Sequence, residues 1–364
     1  YLYTSEMIEE SVAHLTDGGL ICMSFGEVDF VHKPNRTARY LSSARLAFAE
    51  QGIPDFPRHV IVVTAPSIFL ESQMLLKKAP FTSDEIDRVK SNTQSIKDGV
   101  VYYAYGQPIT EHPVHQVITA DPERLERWYR EYPYDVRPIT DDAPFFWHFA
   151  RFTDAARGTR MKVMGWDMED ATGERVLMVL LVVAILFATV FLLLPFVTIR
   201  GIWAEIPHKA AAAVYFAALG MGFMFFEISL IQRLTLFLGY PTYSLTVTLF
   251  ALLIFTGIGS LVSPRYTQDR GHALLGLFAA LVALMLFYQL GMGWIVNRWI
   301  GGEFAVRAAV TIACLAPLGL CLGAFMPLGL TTVAATTEHK TEFVAWAWAV
   351  NGFASVISSI LVTM

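Results

Sequence analysis

The second half of the chain carries six runs of about twenty residues that contain almost no charged side chain. A helix needs about 20 apolar residues to cross the ~30 Å hydrocarbon layer of a bilayer, and no soluble core needs so many segments of this length. The sequence therefore predicts a polytopic helical membrane domain over residues 173–364, with the lipid bilayer as its partner. The predicted spans lie near residues 176–199, 209–232, 242–264, 273–296, 305–330 and 342–364.

Residues 1–172 have a different character, with charges, prolines and short alternating segments throughout, so the overall hydrophobic fraction of 54% averages two unlike parts. Apolar residues recur at helical spacing in residues 2–15, and Asp17-Gly18-Gly19 ends that pattern with a turn. Residues 20–25 are almost wholly apolar, which is typical of a strand buried on both faces of a mainly parallel sheet. The first half is therefore predicted to have an α/β fold.

Two strand-like runs, residues 59–64 and 69–76, are separated by Ala65-Pro66-Ser67. This spacing suits an antiparallel pair, so the sheet is expected to be parallel with an antiparallel edge.

Helix signals flank these strands. Thr82 and Glu85 form a capping-box pattern at the start of one predicted helix, and Asp121-Pro122 supplies an N-cap and a first-position proline for another. The helices are predicted over residues 37–50, 83–95 and 122–131.

Charge and cysteine content exclude two classes of function. A net charge of -5 without a basic run argues against nucleic acid as a partner, because phosphate binding draws on clustered lysine and arginine. The three cysteines, Cys22, Cys314 and Cys321, make neither a disulfide framework nor a CxxC metal site. We interpret them as small buried apolar residues.

Both ends of the sequence interrupt a pattern. Tyr1 stands at the start of an amphipathic segment, and Met364 ends an apolar one with no polar tail. We therefore expect a fragment of a longer protein, and no signal peptide can be read from this start.

Basic residues before the first span give the orientation of the predicted membrane domain. Arg157, Arg160, Lys162 and Arg175 favour a cytoplasmic first half, whereas each later loop carries only one to three basic residues.

Several motifs carry a resemblance to a known family. LYTSEMIEESVAHLTDGGLICMSFGE at residues 2–27 and HVIVVTAPSIFLESQMLLKK at residues 59–78 resemble the C-terminal half of the spermidine synthase fold, within the S-adenosylmethionine methyltransferase superfamily.

The membrane half extends this likeness. The whole chain resembles bacterial membrane proteins that fuse a spermidine-synthase-like domain to transmembrane helices, often described as fused major-facilitator/spermidine-synthase proteins. The motifs are RPITDDAPFFWHF at residues 137–149, GFMFFEISLIQRLTLFLGYPTYSLTVTLFALLIFTGIGSL at 222–261, LGAFMPLGL at 322–330 and WAWAVNGFASVISSIL at 346–361.

The resemblance implies a partial soluble domain over residues 1–172, namely the C-terminal half of a Rossmann-like sheet, in a bacterial inner-membrane protein. In the parent fold the Gly-rich cofactor loop, the acidic residue that binds the cofactor ribose and the aspartate pair of the transfer site all lie upstream of this segment. A nucleotide-type cofactor needs a Gly-rich strand-to-helix turn, and no GxG element occurs in residues 1–172. We therefore expect this chain alone to bind no cofactor, with S-adenosylmethionine or its decarboxylated form implied for the complete protein.

Three carboxylates are candidate substrate ligands. Glu27 follows the first strand, where open α/β folds place ligands, and the resemblance implies that acidic side chains near this edge hold an amine such as a polyamine. The alternative for Glu27 is a solvated loop carboxylate. Asp141 and Asp142 could bind a polyamine or a metal, or they could tie a turn while the following aromatic residues dock the domain near the membrane surface.

Four polar residues are candidates inside the predicted spans. Glu227 needs a partner or water, because a carboxylate in an apolar span costs a few kcal/mol. Arg233, six positions on, is not an ideal same-face neighbour, and Gln232 or a group on another span is an alternative partner. Asn351 is interpreted as an interhelical hydrogen-bonding group.

Small residues in the spans predict close helix packing, and Pro317 and Pro327 are expected to kink or break the fifth span. The small residues are Gly257, Gly259, Ser260, Gly319, Gly323, Gly352, Ser355 and Ser359. His112 and His115 lie three positions apart in a loop, without a nearby carboxylate or third ligand, so no metal site is predicted.

Two functions remain open. The first is transfer of an aminopropyl or methyl group from an S-adenosyl donor to an amine or a membrane-associated substrate, by a complete protein or by this chain with a separate polypeptide that supplies the missing N-terminal half. The catalytic residues are unknown in that case. The second is a membrane transporter or scaffold with a regulatory or vestigial synthase-like domain, in which Glu227, Arg233 and Asn351 serve a transport path.

Overall fold

The computed structural model describes residues 2–66, 68–151, 172–198, 208–266 and 270–363. Contacts divide the chain into two units, Tyr1–Arg175 and Val176–Met364. Most of the predicted polar stretch before the first span, residues 153–171, lies outside the described residues, together with Arg157, Arg160 and Lys162.

The first unit is a mixed α/β structure. Its strands are β1 (Leu20–Glu27), β2 (Val60–Pro66), β3 (Leu70–Lys77) and β4 (Val100–Tyr103). Its helices are α1 (Ser5–His14), α2 (Asn35–Glu50), α3 (Ser83–Ser95), α4 (Pro113–Thr119) and α5 (Pro122–Glu131). The capping box of α3 and the Asp121 cap of α5 form as predicted, because each side chain accepts a hydrogen bond from an otherwise unpaired first-turn N–H group.

The sheet has the strand order β1-β3-β2-β4, and every described pairing is antiparallel. The predicted antiparallel hairpin of β2 and β3 is confirmed, but the predicted parallel ladder is wrong. Since β1 and β2 both pair antiparallel with β3, they run in the same direction on its two sides. The chain crosses between them through α2, and the hairpin strand β3 fills the space that a parallel pairing would have used.

Strand β1 lies at one edge of the described sheet and is not buried on both faces as predicted. Its residues alternate, with Phe25 and Glu27 buried on one face and Cys22 and Ser24 exposed on the other. Leu20 is 50% exposed. The apolar run therefore forms a strand that is buried on one face only. The interpretation of Cys22 as a buried residue is wrong.

The two faces of the sheet are covered unequally. The larger core packs helices α1 and α2 against one face and includes Ile8, Tyr40, Leu41, Val62 and Met74. On the other face α3 packs on β2 and β4 through a small cluster around Ile61 and Ile86. The outer face of β1 gains no such cover from the described residues.

The second unit contains six helices long and apolar enough to cross a membrane within the part of the chain that the structure describes. The number agrees with the predicted spans, and the chain is a multi-pass membrane protein. The spanning helices are α6 (Thr172–Thr198), α7 (Lys209–Leu238), α8 (Pro241–Val262), α9 (Arg270–Leu290), α11 (Phe304–Ala334) and α12 (Lys340–Leu361), with a short helix α10 (Met292–Trp299) between the fourth and fifth.

Two expectations for these helices need correction. The predicted span 273–296 ends earlier, at Leu290, and α10 follows Gly291 as a separate element. Helix α11 contains Pro317 and Pro327 yet runs unbroken. A proline removes one backbone hydrogen bond, and a helix packed among others in a membrane tolerates that loss.

The tightest packing in the second unit occurs where glycines face a neighbouring backbone. A Cβ atom added at Gly259 of α8 would lie 2.2 Å from the Leu320 carbonyl oxygen of α11, and one at Gly323 would lie 2.1 Å from the Thr256 carbonyl oxygen of α8. A Cβ at Gly220 of α7 would meet the Asn351 carbonyl oxygen of α12 at 2.3 Å. In lipid no hydrophobic effect drives apolar side chains together. Membrane helices therefore associate through van der Waals contacts, which close backbone approach increases.

Replacing Gly259 with alanine should lower the thermal midpoint of the detergent-solubilised protein. The new methyl group must displace the α11 backbone, and overpacking of this kind costs about 1–3 kcal/mol. Gly257, two positions away, has nothing within 4 Å of an added Cβ. The matched Gly257→Ala variant should keep or slightly raise the midpoint, because alanine is the better helix former. Equal midpoints for the two variants would contradict the assigned α8–α11 contact.

Candidate functional site

The end of β1 holds a buried carboxylate. Glu27 is the last residue of β1 and is 0% exposed. The backbone N–H of Thr37 donates to Glu27 Oε1 at 2.7 Å, and the Thr37 hydroxyl donates to the same oxygen at 2.8 Å. Because α2 begins at Asn35, Glu27 caps the first turn of that helix, where N–H groups lack partners and negative charge is favoured.

A small polar network extends from this cap into the sheet. The Thr37 and Ser72 hydroxyls lie 2.6 Å apart, and Ser72 donates to the Phe25 carbonyl at 3.3 Å. Arg36 Nη1 lies 3.4 Å from Glu27 Oε2 and donates to the Gly26 carbonyl at 2.6 Å. The reading of Glu27 as a solvated loop carboxylate is therefore wrong, and its two oxygens are already engaged by groups of the chain itself.

The solvent side of this region consists of aromatic and cationic groups. The Arg36 guanidinium lies 5.5 Å from the centre of the Trp147 ring, and Trp147 is 60% exposed. Tyr3, Phe25 and Phe146 pack around the inner edge of the same indole. Arg36 cannot be singled out from the sequence, because an arginine at the start of a helix gives no signal of the strand end beside it.

Asp141 ties its segment to the start of α1. The Thr4 hydroxyl donates to Asp141 Oδ1 at 2.7 Å, and the Asp141 backbone N–H donates to Glu6 Oε2 at 3.1 Å. These contacts correspond to the turn-tying alternative. The Asp142 carboxylate is exposed and makes no hydrogen bond or ion pair with the described residues.

The aromatic residues after this pair are divided between core and surface. Phe146 and Phe149 are buried within the first unit, where Phe146 stacks on Phe25 with ring centres 5.1 Å apart. Phe145 and Trp147 remain exposed. Two of the four residues expected to face the membrane surface therefore anchor the segment in the core of their own unit.

Arg39 holds this segment in place and was missed from the sequence. Its Nη1 donates to the carbonyls of Phe145, Phe146 and His148 at 2.8–2.9 Å, and its Nη2 donates to the carbonyl of Asp135. Burial lowers the pKa of the Arg39 guanidinium to about 10, which leaves it charged at neutral pH. A helical pattern could not show this role, because it depends on carbonyl groups about a hundred positions away.

His112 and His115 serve structural roles. The His115 Nε2 lies 2.7 Å from the Tyr102 carbonyl, and its Nδ1 accepts from the Thr110 N–H at 2.8 Å. The His112 Nε2 lies 2.9 Å from the Phe30 carbonyl, and burial lowers the pKa of His112, which favours a neutral ring. No cluster of three or more metal-ligating side chains occurs among the residues that the structure describes.

Glu227 lies in the middle of α7 and is half-buried. Its carboxylate makes no hydrogen bond or ion pair with any described residue, and the structure does not bring Arg233 to it. Gln232 and Arg233 are both exposed on the same helix. The three residues thus form no compact polar cluster in the described part of the second unit.

Asn351 joins two helices. Its side-chain amide donates to the Phe216 carbonyl at 3.2 Å, and Ser355, one turn later, donates to the Gly220 carbonyl at 3.3 Å. The residue numbers of the paired groups increase in the same direction along α7 and α12, so these helices are parallel. Asn351 has the geometry of an interhelical link, whereas Gly352 faces open space.

Comparison of the chain with protein-family models, with curated proteins and with solved structures finds no match. The resemblance to spermidine-synthase-like membrane proteins therefore stays a prediction from sequence motifs.

Replacing Arg39 with methionine should destabilise the first unit by about 3 kcal/mol, because several buried carbonyl groups lose a charged donor at once. Chymotrypsin should then cleave at the aromatic residues of segment 135–149, and the thermal midpoint should fall. Arg127 is exposed on α5, and its side chain makes no hydrogen bond or ion pair with the described residues, so Arg127→Met is the matched control and should change neither readout. The anchoring role would be ruled out if chymotrypsin cleaved segment 135–149 no faster in the Arg39 variant than in the control.

Proposed function

We propose that this chain is the membrane-embedded part of a transferase whose soluble sheet is completed by a further polypeptide segment. The complete protein would transfer an aminopropyl or methyl group from an S-adenosyl donor to an amine or a membrane-associated substrate. The single observation that carries the proposal is the open edge of β1, a strand of eight residues paired on one side only among the described residues.

The order of elements supports this reading. β1 and β2 run in the same direction, joined through α2, with the antiparallel β3 between them. A C-terminal half of a Rossmann-like sheet would present its first strand for pairing with the upstream half, as β1 does. A flat unpaired edge is otherwise an aggregation hazard that proteins block with charges, prolines or bulges. β1 has no proline, no bulge in its pairing with β3 and no charged residue before Glu27.

The proposed ligand site is at the carboxyl end of β1. Ligands of open α/β sheets bind beyond the carboxyl ends of the parallel strands, which here is the region of Glu27, Arg36 and Trp147. Glu27 contributes by fixing the start of α2, since its oxygens are engaged. Of the three candidate carboxylates, Asp142 is exposed and makes no hydrogen bond or ion pair with the described residues, so we propose it as the contact for an amine substrate.

Calorimetric titration of the complete protein tests the proposal. S-adenosylmethionine or its decarboxylated form should bind, and an amine co-substrate such as a polyamine should bind more weakly to Asp142→Asn because that variant removes an exposed negative charge. Glu123 is also exposed, and its side chain makes no hydrogen bond or ion pair with the described residues, so Glu123→Gln serves as the matched control.

Hydrogen exchange on the same samples separates assembly from catalysis. In the complete protein, the β1 amides that face β3 and those that face away from it should both exchange slowly. In this chain alone, the amides that face away from β3 should exchange rapidly, because they have no partner strand among the described residues. Protected β1 amides without binding of either S-adenosyl donor would contradict the transferase activity but support completion of the sheet by a further segment. Unprotected β1 amides in the complete protein would contradict both hypotheses.

A transporter or scaffold is the second candidate function, and Glu227 favours it. An intramembrane carboxylate is costly and faces either a partner or water. None of the described residues pairs with Glu227, so a water-accessible path along α7 would account for its presence.

If Glu227 carries protons or cations, Glu227→Gln should abolish uptake driven by a proton or cation gradient in proteoliposomes. The thermal midpoint should stay nearly unchanged. The amide keeps the shape of the side chain but cannot exchange a proton. Ser229, exposed nearby on α7, provides the control Ser229→Ala, which should transport normally. Unaltered coupled transport in the Gln variant would exclude this path.

A further inference from the structure

The second unit contains a cavity that the proposed functions do not use. It has a volume of about 330 Å³ and lies among the ends of four helices, between the start of α7, the start of α9, the end of α11 and the start of α12. Its lining includes Ala211, Tyr215, Leu274, Gly329 and Phe343. A volume of this size is at the lower end of small-molecule sites, which span ~300–1,000 Å³.

The cavity exists because small residues stand opposite a fixed aromatic ring. The Tyr215 hydroxyl donates to the Phe325 carbonyl at 2.7 Å, and a Cβ at Gly329 would lie 2.3 Å from the Tyr215 ring. The ring is therefore held against α11. Ala211 and Ala212 on the adjacent turn of α7 leave unfilled the space that larger side chains would occupy.

The wall and the mouth of this cavity differ in chemistry. The wall is almost wholly apolar, with Leu274, Val333 and Phe343 contributing most of its large side chains. At the mouth, the exposed His208 imidazole makes no hydrogen bond with the described residues. The Thr332 and Thr336 hydroxyls donate to α11 carbonyls and keep their oxygens free to accept.

The same ends of these helices are rich in cations. Lys209 begins α7, Lys340 begins α12, and the exposed Arg265 follows the end of α8. Glu338 and Glu342 are the carboxylates beside them in the described sequence. Among the described side chains, these three cations stand against two carboxylates at these helix ends, so the excess charge is positive and suits an anionic headgroup. Basic sites between membrane helices are where acidic phospholipids bind.

We infer that this cavity is a binding site for an anionic phospholipid, with one acyl chain in the apolar slot and the phosphate at the mouth beside His208, Lys209 and Lys340. The apolar wall accepts a chain that needs no hydrogen bond. The cations hold the headgroup of a lipid that lies parallel to the helices.

Photo-cross-linking in vesicles tests this assignment. The protein is reconstituted into phosphatidylcholine vesicles with phosphatidylglycerol that carries a diazirine on one acyl chain, and cross-linked peptides are mapped by mass spectrometry. Labelling should concentrate on the cavity-lining segments of α7 and α11. A phosphatidylcholine probe with the same acyl chain should label them less, since each lysine near the surface contributes about five-fold in affinity for acidic lipid.

Two variants address the slot and the mouth separately. Ala211→Trp fills the slot and should remove labelling of the lining residues, whereas Ala279→Trp, exposed on α9 and about 140° round that helix from the lining residue Leu274, should not. Lys209→Gln combined with Lys340→Gln should erase the preference for phosphatidylglycerol while the acyl chain still labels the slot. Should Ala211→Trp fail to fold, Thr336→Trp fills the same space from the segment just after α11.

Equal labelling of the lining residues in Ala211→Trp and Ala279→Trp would overturn the acyl-chain site. Equal labelling by the two headgroups in the unmodified protein would overturn the anionic preference.

Discussion

The second unit depends on the exposure of its apolar side chains to lipid. Leu261 is 82% exposed and Leu290 is 79% exposed, and comparable leucine, valine and phenylalanine side chains line the outer surfaces of α6 and α9. In water this surface would drive aggregation, whereas in a bilayer it requires no cover. With hydrophobic burial removed as a force between helices, their association rests on close backbone approach and a few hydrogen bonds. Gly259, Gly323 and Asn351 supply both.

The first unit uses buried charge for a different purpose. Glu27 and Arg39 are both nearly inaccessible. Glu27 accepts from the Thr37 N–H and hydroxyl and lies beside Arg36, whereas Arg39 donates to backbone carbonyl groups. Removing an ion from water is costly, and repeated hydrogen bonds to the backbone offset that cost only in a fixed geometry. The two residues thereby fix the start of α2 and the course of segment 135–149, which together frame the end of β1. The shape of the candidate site is thus a consequence of residues that do not face solvent.

Local signals were sufficient to predict most helices and all six membrane spans. The capping box at Thr82 and the Asp121-Pro122 start depend on neighbours in the sequence, and the spans depend on length and composition alone. The direction of β1 relative to its neighbours was beyond such signals, because an apolar run reads alike in a buried parallel strand and in a one-sided edge strand. The roles of Arg36 and Arg39 were also hidden, since their partners come from distant parts of the chain. Glu227 and Asn351 could be singled out because a polar group in an apolar span stands out by itself.

The parallel pairing of α7 with α12 has a consequence for biosynthesis. Asn351 and its acceptor Phe216 are separated by 135 positions, so the earlier helix leaves the ribosome long before its partner exists. At ordinary translation speeds the delay is on the order of ten seconds. Throughout that interval Gly220 presents bare backbone to lipid or to other inserted helices, and the groove it forms is closed only when α12 enters the membrane. Assembly of this helix pair is therefore tied to the synthesis of α12.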